Sequence, residues 1–195
     1  GSKGILIGKS ATTDDIRKEG LEDTCTLIAD SWDSVYDFLK QNGRSSFIER
    51  KTGETSISIS VILDGSGRSV ISTGLGFMDH MLEQLSKHSG CDLFVEAKGD
   101  LHVDEHHLVE DIGLALGEAF MRALGNKAGI ERFGFIVPMD DSQASVVIDF
   151  GGRSWLEWDV EFRRERIGDV PTEMFRHFFK SFTDTARCNL HINAN

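Results

Sequence analysis

The densest group of chemically competent side chains lies at residues 104–111, Asp-Glu-His-His-Leu-Val-Glu-Asp. On a helix, His106 and Glu110 are four residues apart and share a face, and His107 is three residues from Glu110. Adjacent helical residues point about 100° apart, so one helix could offer ligands to two metal centres. Imidazole and carboxylate without thiolate suit Mn, Fe, Zn, Co or Ni and do not select among them.

A solvated helix N-terminus is the alternative interpretation, because acidic side chains complement the positive end of a helix dipole. However, the turns that follow are strongly apolar, with Ile112, Leu114, Ala115, Leu116, Ala119 and Phe120. We therefore predict a buried helix over 104–124 whose polar end opens into an interior or an interface. Buried imidazoles and carboxylates need partners there, which favours metal ligation.

Two further histidines, His80 and His177, are related by an internal repeat. Residues 78–98 align without gaps on residues 175–195 at a constant offset of 97, and their apolar positions stay in phase. The alignment pairs His80 with His177 and Cys91 with Cys188. Either histidine alone is more often an ordinary packed residue than a ligand. Because a duplicated site takes the same group from each half, their equivalence favours metal ligation by both.

The elements that position these residues also follow the repeat. Residues 55–63 alternate apolar and serine side chains, which is typical of a half-buried antiparallel strand. The order ββαβα fills residues 45–128, and the pattern restarts over 129–195. We predict an α+β fold of duplicated ββαβα units with antiparallel or mixed sheets. We predict that the second repeat, residues 129–195, lacks its last helix, because the counterpart of the helix near Asp104 would fall beyond the given sequence.

Residues 1–44 have a different pattern, with two short strands and an amphipathic helix over 30–40. That helix aligns an apolar stripe of Trp32, Val35, Tyr36 and Leu39. About 40 residues cannot bury such a stripe alone. We predict that this segment is a linker or a remnant of a larger preceding domain, or that it docks on the rest of the chain.

Composition restricts the partners. The 195 residues carry a formal charge of −11, and a chain this acidic is unsuited to neutralising nucleic-acid phosphates. No apolar run approaches the roughly 18 residues that cross a bilayer. Three cysteines, an odd number without CxxC spacing, favour reduced thiols and a cytoplasmic location.

Three other residues are ambiguous by type and position. Glu54 precedes the alternating strand and could be an acid/base catalyst or an exposed strand-end charge, and spacing alone favours the second. Arg132 and Arg153 could bind an anion or pair with acidic residues at the surface.

Several motifs together resemble imidazoleglycerol-phosphate dehydratase of histidine biosynthesis, over about residues 45–195. They are Gly-Phe-Met-Asp-His-Met-Leu (76–82), Gly-Asp-Leu (99–101), the segment 104–111, Gly-Leu-Ala-Leu-Gly-Glu (113–118), Arg-Phe-Gly (132–134) and Thr-Glu-Met (172–174). The resemblance implies that the helices pack between the sheets, and it implies a 24-mer with two-manganese sites built between subunits. It also implies dehydration of imidazole glycerol phosphate to imidazole acetol phosphate.

The resemblance also assigns roles, residue by residue. The metal ligands it implies are His80, His106, His107, Glu110 and His177. Glu54 matches the catalytic acid/base in an Arg-x-Thr-x-Glu-Thr pattern, Arg132 and Arg153 match positions near the substrate phosphate, and His88 borders the substrate.

The sequence departs from the family in two places. A second His-His-x-x-Glu motif and a Ser-Ser-Lys loop are absent, which predicts an incomplete manganese site, an inactive chain and a trimer or small ring instead of the 24-mer. Residues 1–44 are similar to the end of the phosphatase domain of the bifunctional enzyme but lack its Asp-x-Asp motif, so phosphatase activity is not predicted. A two-metal hydrolase and a non-catalytic assembly intermediate are the alternatives.

Overall fold

The computed structural model describes residues 4–8, 12–41, 43–127 and 129–195. The chain divides into two compact units, residues 1–43 and 44–195. All three cysteines are free thiols. Within the described ranges, no helix combines the length and the apolar character needed to cross a membrane.

The first unit contains β1 (Gly4–Ile7), α1 (Thr13–Lys18), β2 (Cys25–Ala29) and α2 (Trp32–Gln41). The two strands pair in parallel. Val35 of α2 is buried, whereas Trp32 and Tyr36 of the predicted apolar stripe are exposed, so this unit does not bury the whole stripe. A two-stranded sheet is too narrow to cover the whole stripe. The side chain of Leu39 lies outside the described part of the chain.

The second unit begins with β3 (Ser45–Lys51), β4 (Thr55–Ile62), β5 (Ser69–Ser72), α3 (Gly76–Ser89), β6 (Asp92–Gly99) and α4 (His106–Leu124). The strands form one sheet in the order β3-β4-β6-β5. β3, β4 and β6 pair antiparallel, and β5 runs parallel to β6 across the α3 connection.

The remainder of the unit contains β7 (Phe133–Met139), β8 (Ser142–Asp149), β9 (Trp155–Val160), the short hairpin β10 (Arg166–Ile167) and β11 (Val170–Pro171), α5 (Glu173–Ala186) and β12 (Asn189–Ala194). Its four-stranded sheet has the order β7-β8-β12-β9, with strand directions that match the first sheet. The predicted duplication and α+β class are therefore confirmed.

The predicted ββαβα order missed one strand in the first half. β3 was not recognised because Ile48 is its only buried residue, so its alternation is weak. Each half thus has three strands of its four-stranded sheet before the helix that precedes the fourth strand.

Register shows where the halves differ in length. Across the first sheet, Ile59 pairs with Ile48 and Val95, and across the second, Val146 pairs with Phe135 and Ile192. Residues of the first sheet therefore correspond to those of the second at an offset of 87 residues on β3 and β4, but at an offset of 97 residues on β6. The difference of ten residues lies between β9 and α5, where the second half inserts the β10–β11 hairpin.

Helices α4 and α5 cross at two glycines of α4. A Cβ on Gly113 would lie 2.7 Å from the carbonyl oxygen of Phe178, and one on Gly117 would lie 2.3 Å from that of Phe182. The Thr185 hydroxyl donates to the Leu114 carbonyl oxygen at 2.7 Å across this contact. The crossing fixes how the N-terminal turns of the two helices lie relative to one another.

Candidate metal centre

The N-terminal ends of α4 and α5 bring three of the predicted ligands together. His106 Nε2 lies 3.0 Å from Glu110 Oε1, and His177 Nδ1 lies 2.8 Å from the same oxygen. The two imidazole rings are 4.7 Å apart between centroids. The helical spacing of four residues places His106 over Glu110, and the α4–α5 crossing supplies His177.

The three ligand atoms all lie within 4.8 Å of one another, which is compact enough for one cation. Metal–nitrogen and metal–oxygen bonds of about 2.0–2.2 Å place adjacent ligand atoms about 3 Å apart. The two nitrogen–oxygen distances fit that requirement. Two imidazoles and a carboxylate form a donor set suited to a first-row divalent metal, so the residues present fit a metal ion.

This cluster is more open than the sequence predicts. The side chains of His106, Glu110 and His177 are 41%, 37% and 42% exposed. The body of α4 is buried as expected, with Leu108 and Ile112 fully inaccessible. Of the two expected settings, an interior or an interface, the polar end does not lie in the interior of one chain: the turn that carries the ligands lies at the rim of the core.

His107 points away from this cluster and towards Asp100, which follows β6. Its Nδ1 lies 3.1 Å from Asp100 Oδ2, and since a carboxylate only accepts, Nδ1 carries the proton. The hydrogen bond that His107 donates to Asp100, with the charges of Asp100, Asp104 and Glu54, raises the pKa of His107. A carboxylate on Nδ1 orients the ring and leaves Nε2 as its donor atom for a metal.

Glu54 lies in the exposed turn between β3 and β4. Its neighbour Thr55 pairs with Gly99, the residue before Asp100. The antiparallel ladder therefore carries Glu54 and the Asp100–His107 pair at the same end of the first sheet. A shallow cavity at this point is lined by Lys51, Thr52, Gly53, Glu54, Thr55, Ser56, Lys98 and Gly99.

The structure does not add His80 or His88 to the cluster. His80 is exposed in the first half of α3, outside the group of three ligands. His88 lies in the last turn of α3, eight residues further along, and its Nε2 is 3.1 Å from Gln84 Oε1. Eight helical residues span about 12 Å, so the two histidines occupy separate regions of α3.

Arg132 and Arg153 lie at the opposite end of the second half from His177. Arg132 precedes β7 and pairs with Asp149 at 3.1 Å. The Arg153 carbonyl accepts from the side chain of Asn189, the first residue of β12, three residues after the end of α5. Nine helical residues separate His177 from the end of α5, a distance of about 14 Å. Within one chain, these arginines and the ligand cluster therefore do not meet.

Sequence reasoning missed several residues that hold this region in place. Asp100 belongs to the quoted Gly-Asp-Leu segment, but no local pattern pairs it with His107. Asp169, in the β10–β11 hairpin, accepts from the backbone N–H groups of Gly76 and Phe77 at 2.5 and 3.1 Å and so caps α3. Arg166 of the same hairpin lies 3.3 Å from Glu105 at the start of α4.

Comparison with known proteins gives one consistent result. The family model for imidazoleglycerol-phosphate dehydratase matches residues 73–195. A histidine biosynthesis bifunctional protein HisB from Bacteroides fragilis is 54% identical over 194 residues, which cover 100% of this chain and 51% of that protein. This chain spans about half the length of the bifunctional relatives it matches.

A shorter relative and a solved structure agree with this match. An imidazoleglycerol-phosphate dehydratase from Gluconacetobacter diazotrophicus is 52% identical over 150 residues, 76% of each chain. The crystal structure of the Staphylococcus aureus enzyme of that name superposes with a TM-score of 0.69 at 32% identity, covering 77% of this chain and 83% of the other. With the family model and these relatives in agreement, this chain belongs to the imidazoleglycerol-phosphate dehydratase family.

Proposed function

We propose that this chain is the dehydratase part of a lyase that converts imidazole glycerol phosphate to imidazole acetol phosphate in histidine biosynthesis. The observation that carries the proposal is that the ligand atoms of His106, Glu110 and His177 lie within 4.8 Å of one another, close enough to bind one cation. The family match and the names of the relatives support the reaction.

Manganese is the metal that we propose for this centre. His106, Glu110 and His177 would hold one ion, and His107, oriented by Asp100, would offer Nε2 to a second. When bound, the metal supplies Lewis-acid stabilisation of charge that develops on the substrate imidazole. We propose His80 as a further ligand, although it lies outside the group of three.

Glu54 is the proposed acid/base. Dehydration requires removal of a proton from carbon and delivery of a proton to the departing hydroxyl, and an exposed carboxylate can do both in turn. Glu54 lies at the sheet end that holds Asp100 and His107. Its exposure leaves the carboxylate accessible to a substrate.

Assembly is part of the proposal, because the anion-binding candidates and the ligands are separated within one chain. We propose a homo-oligomer in which Arg132 and Arg153 of another copy bind the substrate phosphate, with His88 at the border of that site. Arginine suits this role since its planar fork binds phosphate in a bidentate manner. The predicted trimer or small ring is tested by light scattering, and a monodisperse monomer at micromolar concentration would contradict it.

The decisive experiment is Glu54→Gln in the full-length protein. We expect turnover of imidazole glycerol phosphate to fall about 10²–10⁴-fold while metal content stays the same. Glu49→Gln, an exposed carboxylate of β3, is the matched control and should keep full turnover. Unchanged turnover in Glu54→Gln would remove Glu54 from the mechanism.

Two further measurements separate the alternatives. A panel of phosphate esters distinguishes the dehydratase from a two-metal hydrolase, which would release phosphate from them. Metal analysis of the 195-residue chain after dialysis tests the prediction that its manganese site is incomplete. Two tightly bound manganese ions per chain would contradict that prediction, on which the predicted inactivity of the chain rests. The cytoplasmic location and the phosphatase-domain origin of residues 1–44 stay predictions.

A further inference from the structure

We propose that Asp111 is a positioning residue that fixes the turn carrying Glu54 to the helix that carries the metal ligands. The proposal rests on the role of Glu54 proposed above. It concerns three residues around Glu54, namely Arg50, Thr52 and Thr55, whose side chains have no part in the ligand cluster.

Both carboxylate oxygens of Asp111 are used by the strands beside Glu54. The Arg50 side chain donates from Nε to Oδ1 at 2.8 Å, and the Thr55 hydroxyl donates to Oδ2 at 2.6 Å. Arg50 lies on β3 and Thr55 begins β4, so Asp111 joins the two strands that flank the turn. Charge-assisted hydrogen bonds of this kind are stronger than neutral ones.

The hydrogen bonds continue from Thr55 to the backbone of Glu54. Because the Thr55 hydroxyl donates to Asp111, its oxygen accepts from the Thr52 hydroxyl at 3.1 Å. The Thr52 oxygen in turn accepts from the N–H groups of Glu54 and Thr55 at 3.2 and 3.0 Å. Every donor in this chain of bonds points towards the Asp111 carboxylate, an arrangement in which successive bonds strengthen one another.

The Asp111–Thr55 part of this network is largely buried, whereas Glu54 is exposed. The Asp111 side chain is 12% exposed and Thr55 is buried, whereas Glu54 lies in open solvent. Asp111 follows Glu110 directly and lies one helical turn after His107. A displacement of the turn relative to α4 would therefore move Glu54 relative to both groups. Misplacement of a reacting group by about 1 Å can cost about 10²-fold in rate.

Thr55→Val is the test, because valine matches the shape of threonine and removes only the hydroxyl. In the full-length, manganese-loaded protein we expect kcat to fall about 10- to 100-fold, with KM and metal content unchanged. Thr55→Ser retains the hydroxyl and should restore kcat. Equal kcat in the valine and wild-type proteins, or loss of metal in the valine protein, would overturn the proposal.

Amide hydrogen exchange gives a readout that does not depend on activity. Thr55→Val should speed exchange at the Glu54 amide, which the Thr52 oxygen protects, and leave exchange in the body of α4 unchanged. Exchange at Glu54 that stays at the wild-type rate would contradict the proposed link.

A double-mutant cycle of Thr55→Val and Glu54→Gln separates the positioning role of Asp111 from the acid/base role of Glu54. If Asp111 acts through Glu54, adding Thr55→Val to Glu54→Gln causes no further loss of the residual turnover. Additive losses mean that the network acts elsewhere and overturn the positioning role. Full turnover in Glu54→Gln alone instead rejects the acid/base role, on which the positioning role depends.

Discussion

The two four-stranded sheets of residues 44–195 share one topology but differ in how their inner faces are covered. In the first sheet, Ile48 on β3 is 4% exposed. In the second sheet, Phe135 occupies the matching place on β7 and is 66% exposed. Helix α4 packs on β3 and β4, and no described helix covers β7 in the same way.

This difference separates sheet topology from side-chain burial, two properties that often occur together. Strand order and register follow from the alternation of side chains and from the connections, which both halves share. Burial depends on what lies across the sheet, and only the first sheet has α4 there. Equivalent positions can thus belong to one topology and still contribute very different free energies of unfolding.

The largest expected effect comes from separating α5 from α4, the helix that covers the first sheet. Gly117→Ala would place a Cβ 2.3 Å from the carbonyl oxygen of Phe182 and from Thr185 Oγ1. The helices must separate to accept it, so we expect a loss of more than about 3 kcal/mol in the free energy of unfolding, above the usual cost of overpacking. Urea denaturation measures this, and Gly53→Ala, whose Cβ would meet open space, is the control. A wild-type midpoint in Gly117→Ala would contradict the crossing.

The next prediction compares matched positions in the two sheets. Ile48→Ala removes buried methyl groups and should cost about 3 kcal/mol in the free energy of unfolding. Phe135→Ala removes an exposed side chain and should change it by about 0.5 kcal/mol or less. Denaturation of both variants of the 195-residue chain provides the measurement. Similar losses would mean that β7 is covered in solution.

A third difference lies at the start of the last strand in each half, where Asp92 corresponds to Asn189. Burial disfavours the charged form of Asp92, but hydrogen bonds from Arg68 and from the N–H groups of Ser66 and Arg68 outweigh this and hold its pKa below the usual range. Asp92→Asn places the second-half residue in the first half. We expect a loss of about 2 kcal/mol in the free energy of unfolding at pH 7.

The pH dependence of that loss has a definite sign. A carboxyl group with a lowered pKa stabilises the fold above its unfolded pKa of about 3.9 and loses that contribution as the pH falls towards the folded value. The difference between wild type and Asp92→Asn should therefore be constant from pH 7 to about pH 5 and shrink below about pH 4. A difference that grows on acidification would contradict the assigned cause.

The smallest expected effect concerns the residue that ends the helix in each half. Gly90 ends α3 and Arg187 ends α5, both in the left-handed region, with φ of 74° and 52°. Glycine adopts this conformation without the steric penalty of a side chain. Arg187→Gly should raise the free energy of unfolding by about 0.5–1 kcal/mol, measured by urea denaturation. The reverse exchange, Gly90→Arg, should lower it.

The sequence by itself determined the features that depend on local spacing. Alternation over residues 55–63 predicted β4, and the ungapped offset of 97 residues predicted the correspondence of α3 with α5. The predicted helix over 104–124 differs from α4 only at its start. The Asp104 carboxylate accepts from the His106 N–H group, and the helix begins at His106. Spacing on that helix also predicted that His106 and Glu110 share a face.

Tertiary structure alone decided which distant groups meet. His177 joins Glu110 because two glycines let α5 approach α4, and Asp100 meets His107 because β6 ends beside the start of α4. It also decided that the exposed Trp32 and Phe135 are left uncovered while Ile48 is buried. Local periodicity specifies the face that a side chain occupies, but burial and site geometry depend on contacts between residues far apart in sequence, which no local pattern encodes.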